Sequence, residues 1–132
     1  MRFIGLIHYF LFCFLAFSQA DDNTPLSLVQ EQLEGYNNRD IDAFLVPFSD
    51  SVKVYDFLGE MRYSGKNEMR KRYSKMFEER KDLSCEVVNR IILNNTVIDH
   101  EEVVIDKTKP KLKAIAIYTV ENGKIDTVTF IH

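Results

Sequence analysis

Cysteine, proline, glycine and histidine are all scarce in this chain, and each shortage closes off a class of protein. The 132 residues hold two cysteines, three prolines, five glycines and three histidines. Cys13 falls in an apolar leader described below, so the rest of the chain keeps only Cys85 and has no intramolecular disulfide to lean on. Such a domain is held by its core alone. With so little glycine and proline there is no low-complexity segment, and no internal repeat is visible. A glycine-rich phosphate loop and a Ser-His-Asp order are also missing. Beyond the leader the histidines reduce to His100 and His132, without clustered ligand spacing, so no metal and no other cofactor is expected. Positive charge is not in excess either: 17 Lys and Arg face 20 Asp and Glu, and a net charge of -3 gives no pull toward nucleic acid.

What is present is an ordinary globular balance, 45% hydrophobic and 28% charged, at a length that suits one domain rather than two. The first residues stand apart. Arg2 precedes an almost wholly apolar run from Phe3 to Phe17, and Ser18 and Ala20 supply small residues at the -3 and -1 positions of a cleavage site. That is the layout of a secretory signal peptide. The apolar run falls short of the ~20 residues that a spanning anchor needs. A lipoprotein reading of Cys13 meets Phe12 where a small residue is required. The expected plan is therefore a signal peptide over residues 1–20 and one domain over 21–132, secreted or periplasmic, with no membrane contact after cleavage.

The domain opens with Thr24 and Pro25, a capping residue and a first-turn proline that start a helix. Val29, Leu33 and Tyr36, with Leu26 a turn earlier, recur at helical spacing, and Asn37 and Asn38 stop the run. Asp40 caps a short second helix with apolar residues Ile41, Phe44, Leu45 and Phe48, ended near Pro47. The pattern predicts a strand over Ser51–Phe57, a glycine turn, and a short pairing strand at residues 61–63. Ser64 and Gly65 introduce the longest helix, from Lys66 to about Asp82, with Met69, Tyr73, Met76 and Phe77 as its apolar face. Strands follow over Glu86–Leu93 and Val97–Asp106, then over Leu112–Glu121 and Lys124–Ile131, the last two joined by Asn122 and Gly123 in a strong hairpin signal. The lysines around Pro110 serve solubility and edge protection. Helices first and a long antiparallel run afterwards make an α+β domain, with helices packed on one face of a curved sheet.

The stretch from Val52 to Gly59 carries the clearest chemical hint. Strand alternation puts Val52, Val54 and Asp56 on one face, so a carboxylate follows two valines. Inside an apolar cavity its pKa would rise and Asp56 would be a usable base; in solvent it would only form the turn before Gly59.

Residues Val29 to Phe44, Val54 to Phe57, Ser64 to Lys66, Val87 to Ile91 and Val97 to Glu101 together resemble the SnoaL-like branch of the nuclear transport factor 2-like superfamily, over essentially the whole chain past the leader. The resemblance implies a cone-shaped fold, about three N-terminal helices on a strongly curved antiparallel or mixed sheet that encloses a pocket. It also implies homodimers formed through the sheet and a small hydrophobic molecule as ligand. Members include enzymes and non-catalytic binding domains, so the fold leaves enzyme status open. In the related ketosteroid isomerases a general-base aspartate ends the first strand, and Asp56 matches that place. Their oxyanion donors, a tyrosine and a protonated aspartate (a system used as a worked example of pKa tuning), align with Gln32 and about Ala116. Gln32 can donate a hydrogen bond; alanine cannot.

The catalytic candidates are thus Asp56 as base and His100 as its partner. Alternation places His100 with Ile98, Glu102 and Val104, either toward the pocket or on the outer sheet surface, and turns Asp99 the opposite way, toward solvent or Arg90. Tyr36, Gln32, Tyr118 and Phe130 are the candidate ligand contacts, the tyrosines serving equally well as core residues. Two readings follow: a proton-transfer enzyme acting by isomerisation, hydration or a related step, or a non-catalytic ligand-binding or dimerisation module.

Overall fold

A computed structural model describes residues 23–132. The expected signal peptide, residues 1–20, lies outside the described residues. Helix α1 spans Pro25–Asn37, with Pro25 in its first turn and the Thr24 hydroxyl oxygen accepting the Ser27 amide at 3.2 Å. A backbone reversal at Arg39, with positive φ, closes it, and Asp40 then caps α2 (Ile41–Leu45) by accepting the Ala43 amide. Gly35 lies where α1 meets α2. A Cβ there would collide with the backbone of Phe44, so only glycine allows this approach.

Six strands follow: β1 (Phe48–Asp56), β2 (Glu60–Ser64), β3 (Ser84–Leu93), β4 (Thr96–Val104), β5 (Leu112–Glu121) and β6 (Lys124–Ile131), with α3 (Lys66–Glu79) between β2 and β3. They form one open sheet in the order β2-β1-β6-β5-β4-β3. The pairing of β1 with β6 is parallel and the others are antiparallel, so the sheet is mixed. The hairpin at Asn122 and Gly123 has both residues at positive φ, the twist that matches its strands. This is the cone-shaped α+β fold expected from the resemblance.

Several ends differ by a few residues from the periodic pattern, α3 stopping at Glu79 and β4 at Val104, and two differences change a residue's place. Phe48 begins β1 instead of closing α2, because Pro47 frees its carbonyl for the Ile125 amide and Phe48 enters register with Ile125. Leu26 is 44% exposed; α1 instead buries Leu28, Val29, Gln32 and Gly35. The strands β5 and β6 have the bounds that their alternation predicts.

The core lies between the helices and the concave face of the sheet. Val52, Val54, Val97, Ile125 and Val128 rise from the sheet, and Leu28, Val29, Phe44 and Met69 come down from the helices. Burying each such side chain contributes about 1.5–3 kcal/mol. Tyr36, Phe44, Tyr73 and Phe77 meet mostly edge-on, with Tyr36 and Phe77 centroids 5.7 Å apart at 82°. This aromatic group ties the three helices together and forms the roof over what the sheet leaves open.

Candidate functional site

The opening lies over a small residue on β5. Ala114, Ala116 and Tyr118 alternate toward the helices, and Ala114 lines space that a larger side chain would fill. The result is a cavity of about 180 Å³. Leu33 and Tyr36 of α1, Phe44 of α2, and Tyr73 and Met76 of α3 cover it. Most of the wall is apolar, and two polar groups of different character face into it from opposite sides.

The inner group is Glu101 on β4. Val97, Asp99, Glu101 and Val103 all turn inward along this strand, and all are buried. Glu101 is 6% exposed and accepts a hydrogen bond from the Tyr118 hydroxyl at 3.1 Å. The Gln32 amide in turn donates to the Tyr118 oxygen at 3.3 Å. Burial pushes the Glu101 carboxyl up to about 7; the Tyr118 hydrogen bond opposes that rise, and the nearby Asp99 charge adds to it. A carboxyl poised near neutrality can both take and return a proton. Asp99, fully buried one pleat away, is held bidentately by Arg90 at 2.7 and 2.8 Å, while Gln30 of α1 accepts a third Arg90 bond at 3.1 Å. Cys85 also lines the cavity, and burial raises its thiol pKa, which keeps it protonated and unreactive.

The outer group is Arg62 on β2, with His132 and Phe130. Arg62 Nε donates to Asp56 Oδ1 at 2.6 Å, and Nη2 lies 2.6 Å from His132 Nε2. A guanidinium only donates, so Nε2 is the acceptor in that contact. Phe130 stacks on the His132 ring with centroids 5.9 Å apart, and the Arg62 guanidinium carbon lies 5.4 Å from the Phe130 centroid.

The expected ligand contacts Gln32, Tyr36, Tyr118 and Phe130 are therefore gathered around one cavity. The two expected catalytic residues are not. Asp56 stands behind Arg62, its side chain 38% exposed, and does not line the cavity. Its hydrogen bond from Arg62 lowers its pKa below the ordinary carboxylate range, the reverse of what a base in an apolar pocket would show. The alternation that puts Val52 and Val54 in the core reaches Asp56 only at the sheet's rim, one residue before the Phe57–Gly59 turn. His100 lies on the outer face of β4, opposite Asn89 and Ile115, because the odd-numbered residues of this strand point in. It cannot pair with Asp56 across the cavity. The sequence reading missed Glu101, Arg62 and His132. A signal for the first existed: Val97, Asp99, Glu101 and Val103 form an alternating apolar-acid-acid-apolar face, and two acids between valines on one strand face mark a buried polar site.

Among the described residues no group of three or more His, Cys, Asp or Glu could hold a metal ion. No helix among them is long and apolar enough to cross a membrane.

Comparison with known proteins places this geometry in a family. No curated protein matches the sequence. The fold matches many solved structures. An uncharacterized cystatin-fold protein from Novosphingobium aromaticivorans superposes with a TM-score of 0.75 at 20% identity, covering 83% of this chain and 98% of the other. A SnoaL-like protein of unknown function from Burkholderia thailandensis gives 0.69 at 13% identity, covering 81% and 92%. An LEH-like epoxide hydrolase from M. tuberculosis gives 0.67 at 13%, covering 80% of each chain. At such identities the likeness is one of fold. The sequence profile of the SnoaL-like domain matches residues 29–128, from the first helix to the last strand. The chain belongs to the SnoaL-like domain family.

Proposed function

We propose that the cone cavity binds a small apolar molecule and that Glu101 is the acid–base group that acts on it. The observation that carries this reading is a buried carboxyl with a pKa of about 7, aimed into an apolar cavity and held by Tyr118. Perturbed carboxyls in pockets concentrate at functional sites. In the reaction class we propose, isomerisation, hydration or a related proton transfer, a C–H or water proton moves to Glu101 and is returned to another position of the substrate. Gln32 and Tyr118 fix the carboxyl so that the proton acceptor does not rotate away. One protein of this fold is an LEH-like epoxide hydrolase, which supports the reading at the level of the fold.

One observation favours a second reading, a ligand-binding module without turnover. Ala116 has no donor and does not line the cavity, and the Gln32 amide is already engaged with Tyr118. An enolate forming there would lack the paired hydrogen bonds that carry the largest share of such catalysis. Steroid isomerisation is for that reason the least supported member of the class.

Export is proposed from the leader sequence. A homodimer through the sheet is proposed from the outer face, where Ile91, Ile98 and Ile117 lie in register across β3, β4 and β5.

The test begins with mass spectrometry of small molecules retained by the purified protein, followed by a turnover screen built on what is found. Glu101→Gln should keep the ligand and lose the turnover, and wild-type rate should rise with pH through about 7. Turnover that survives Glu101→Gln would remove Glu101 from the chemistry. Ligand retention without turnover in the wild type would favour the binding module.

A further inference from the structure

The cavity's two polar groups sit at defined places on the sheet. Glu101 is in register with Ala114, and Ile115 is in register with Ile131, which puts His132 one step on, beside Ala114. Glu101 on β4 and His132, one residue past the end of β6, therefore flank Ala114 on either side. Two strand spacings separate their backbones by about 10 Å. The space over Ala114 is bounded by an acid on one side and by the Arg62–His132 group on the other.

The two ends differ in what they still offer a ligand. The Glu101 end is an acceptor wrapped by one donor. The Arg62 end is a cation whose Nε and Nη2 are used by Asp56 and His132, while Nη1 has no acceptor among the described residues. Asp56 binds that guanidinium without lining the cavity, and Phe130 packs against it. The arginine is thus held in place by its neighbours and keeps the Nη1 donor. A guanidinium N–H fixed in this way can give an oxyanion one charge-assisted hydrogen bond. The size of the cavity sets the rest of the ligand. At about 180 Å³ it slightly exceeds cavities of ~150 Å³ that take up benzene, which suits one ring and a short tether.

Resting on the reading of the cavity as a ligand site, we propose that the ligand is a small monocarboxylic acid with a single-ring or similarly compact apolar body, its carboxylate on Arg62 and its opposite end at Glu101. Arg62 then sets both the charge preference and the direction in which the molecule lies. A neutral compound of the same shape fills the cavity without that anchor, and a cationic one is drawn to the wrong end.

Calorimetric titration with phenylpropanoate, phenylpropanol and phenylpropylamine tests this on the purified protein and on Arg62→Gln. One charge-assisted hydrogen bond predicts that the acid binds about tenfold tighter than the alcohol. In Arg62→Gln that preference should vanish while the alcohol's affinity is kept, which also certifies the variant as folded; Arg62→Lys should keep part of it. Equal binding of acid and alcohol, or an acid preference that survives Arg62→Gln, overturns the carboxylate proposal and leaves the cavity a binding site. Tighter binding of the amine overturns it too, by assigning the charge preference to Glu101. Binding of none of the three overturns it as well, and the retained-ligand measurement then decides separately whether the cavity binds anything.

Discussion

Two arginine–aspartate pairs frame the cavity, and they share their chemistry but not their surroundings. Arg90 and Asp99 meet with 17% and 0% of their side chains exposed, whereas Arg62 and Asp56 meet with 34% and 38% exposed. The first pair spans β3 and β4 under α1 and is held bidentately, with Gln30 accepting a third bond from Arg90. The second lies at the rim, where water competes for every charge. Between them Glu101 has burial without an arginine, and its carboxyl is pushed up where Asp56 is pulled down. The two acids differ in pKa because one variable, the balance of desolvation against a cationic partner, differs at each. A carboxylate needs the first without the second to become a base near neutral pH.

The largest break in this comparison should come from Asp99→Ala. It leaves Arg90 charged, largely buried and without its bidentate partner, which costs about 3–5 kcal/mol in comparable pairs. Chemical denaturation should show the midpoint falling sharply with little change in slope. A loss as small as that of a surface pair would mean that Arg90 relaxes into solvent and that the buried pair is structurally idle.

Glu101→Gln comes next and should act in the opposite direction. The folded-state pKa of Glu101 is raised from 4.5 to about 7, so folding favours the protonated form. The stability this gives is complete below the unfolded value, declines as pH rises, and is gone once pH has passed about 7. Glutamine stays neutral and still accepts the Tyr118 hydrogen bond. The variant should therefore match the wild type near pH 4 and exceed it by up to ~3 kcal/mol above pH 8. Thermal melts at the two pH values would read this as a gain of several degrees at the higher one only. A gain that is equal at both would assign the effect to packing instead of to charge.

A smaller effect is expected from Ala114→Leu, which fills the space between Glu101 and His132. Overpacking costs typically 1–3 kcal/mol, and this site opens into a cavity, so the lower end applies. Ligand retention should disappear while the fold, read by circular dichroism, persists. Retention unchanged in this variant would place the ligand elsewhere than over β5.

How far the sequence alone reveals this molecule depends on the kind of signal. The hairpin at Asn122 and Gly123 and the alternation of β5 and β6 are local, and the strand bounds there follow directly from residue type. The helix caps at Thr24 and Asp40 are equally local. The inward face of β4 was only half legible: two acids between valines on one face are a signal, but Ile98, His100, Glu102 and Val104 alternate nearly as well as Val97, Asp99, Glu101 and Val103. Choosing between them requires knowing that Arg90 of β3 and Tyr118 of β5 supply partners for Asp99 and Glu101, and those contacts are long in sequence. Asp56 illustrates the other limit. Alternation correctly carries it to the same sheet face as Val52 and Val54, but only the tertiary structure shows that the helices no longer cover that face at the rim. Arg62 and His132 gave no periodic signal, since their importance comes from meeting each other across 70 residues.

The smallest stability effect, and the one that divides the two carboxylates most cleanly, is expected from Asp56→Asn. Its pair with Arg62 is exposed, so the melting temperature should not move measurably. The lowered Asp56 pKa implies that whatever this pair contributes is present above the ordinary carboxylate range and is lost only as pH falls through the depressed folded value, so any small difference between the two proteins should stay constant from neutral to mildly acidic pH and fade below it. Turnover, once a substrate is in hand, should retain its rise with pH through about 7, because the group that titrates there is Glu101. What should change is ligand orientation, since Arg62 loses the partner that steadies its Nε edge, and this would show in KM before kcat. If instead Asp56→Asn abolished turnover and Glu101→Gln spared it, the rim carboxylate would be the base. The comparison would then invert: the exposed pair would have to open during each cycle to release Asp56 from Arg62, and the buried carboxyl would be left with a purely structural task.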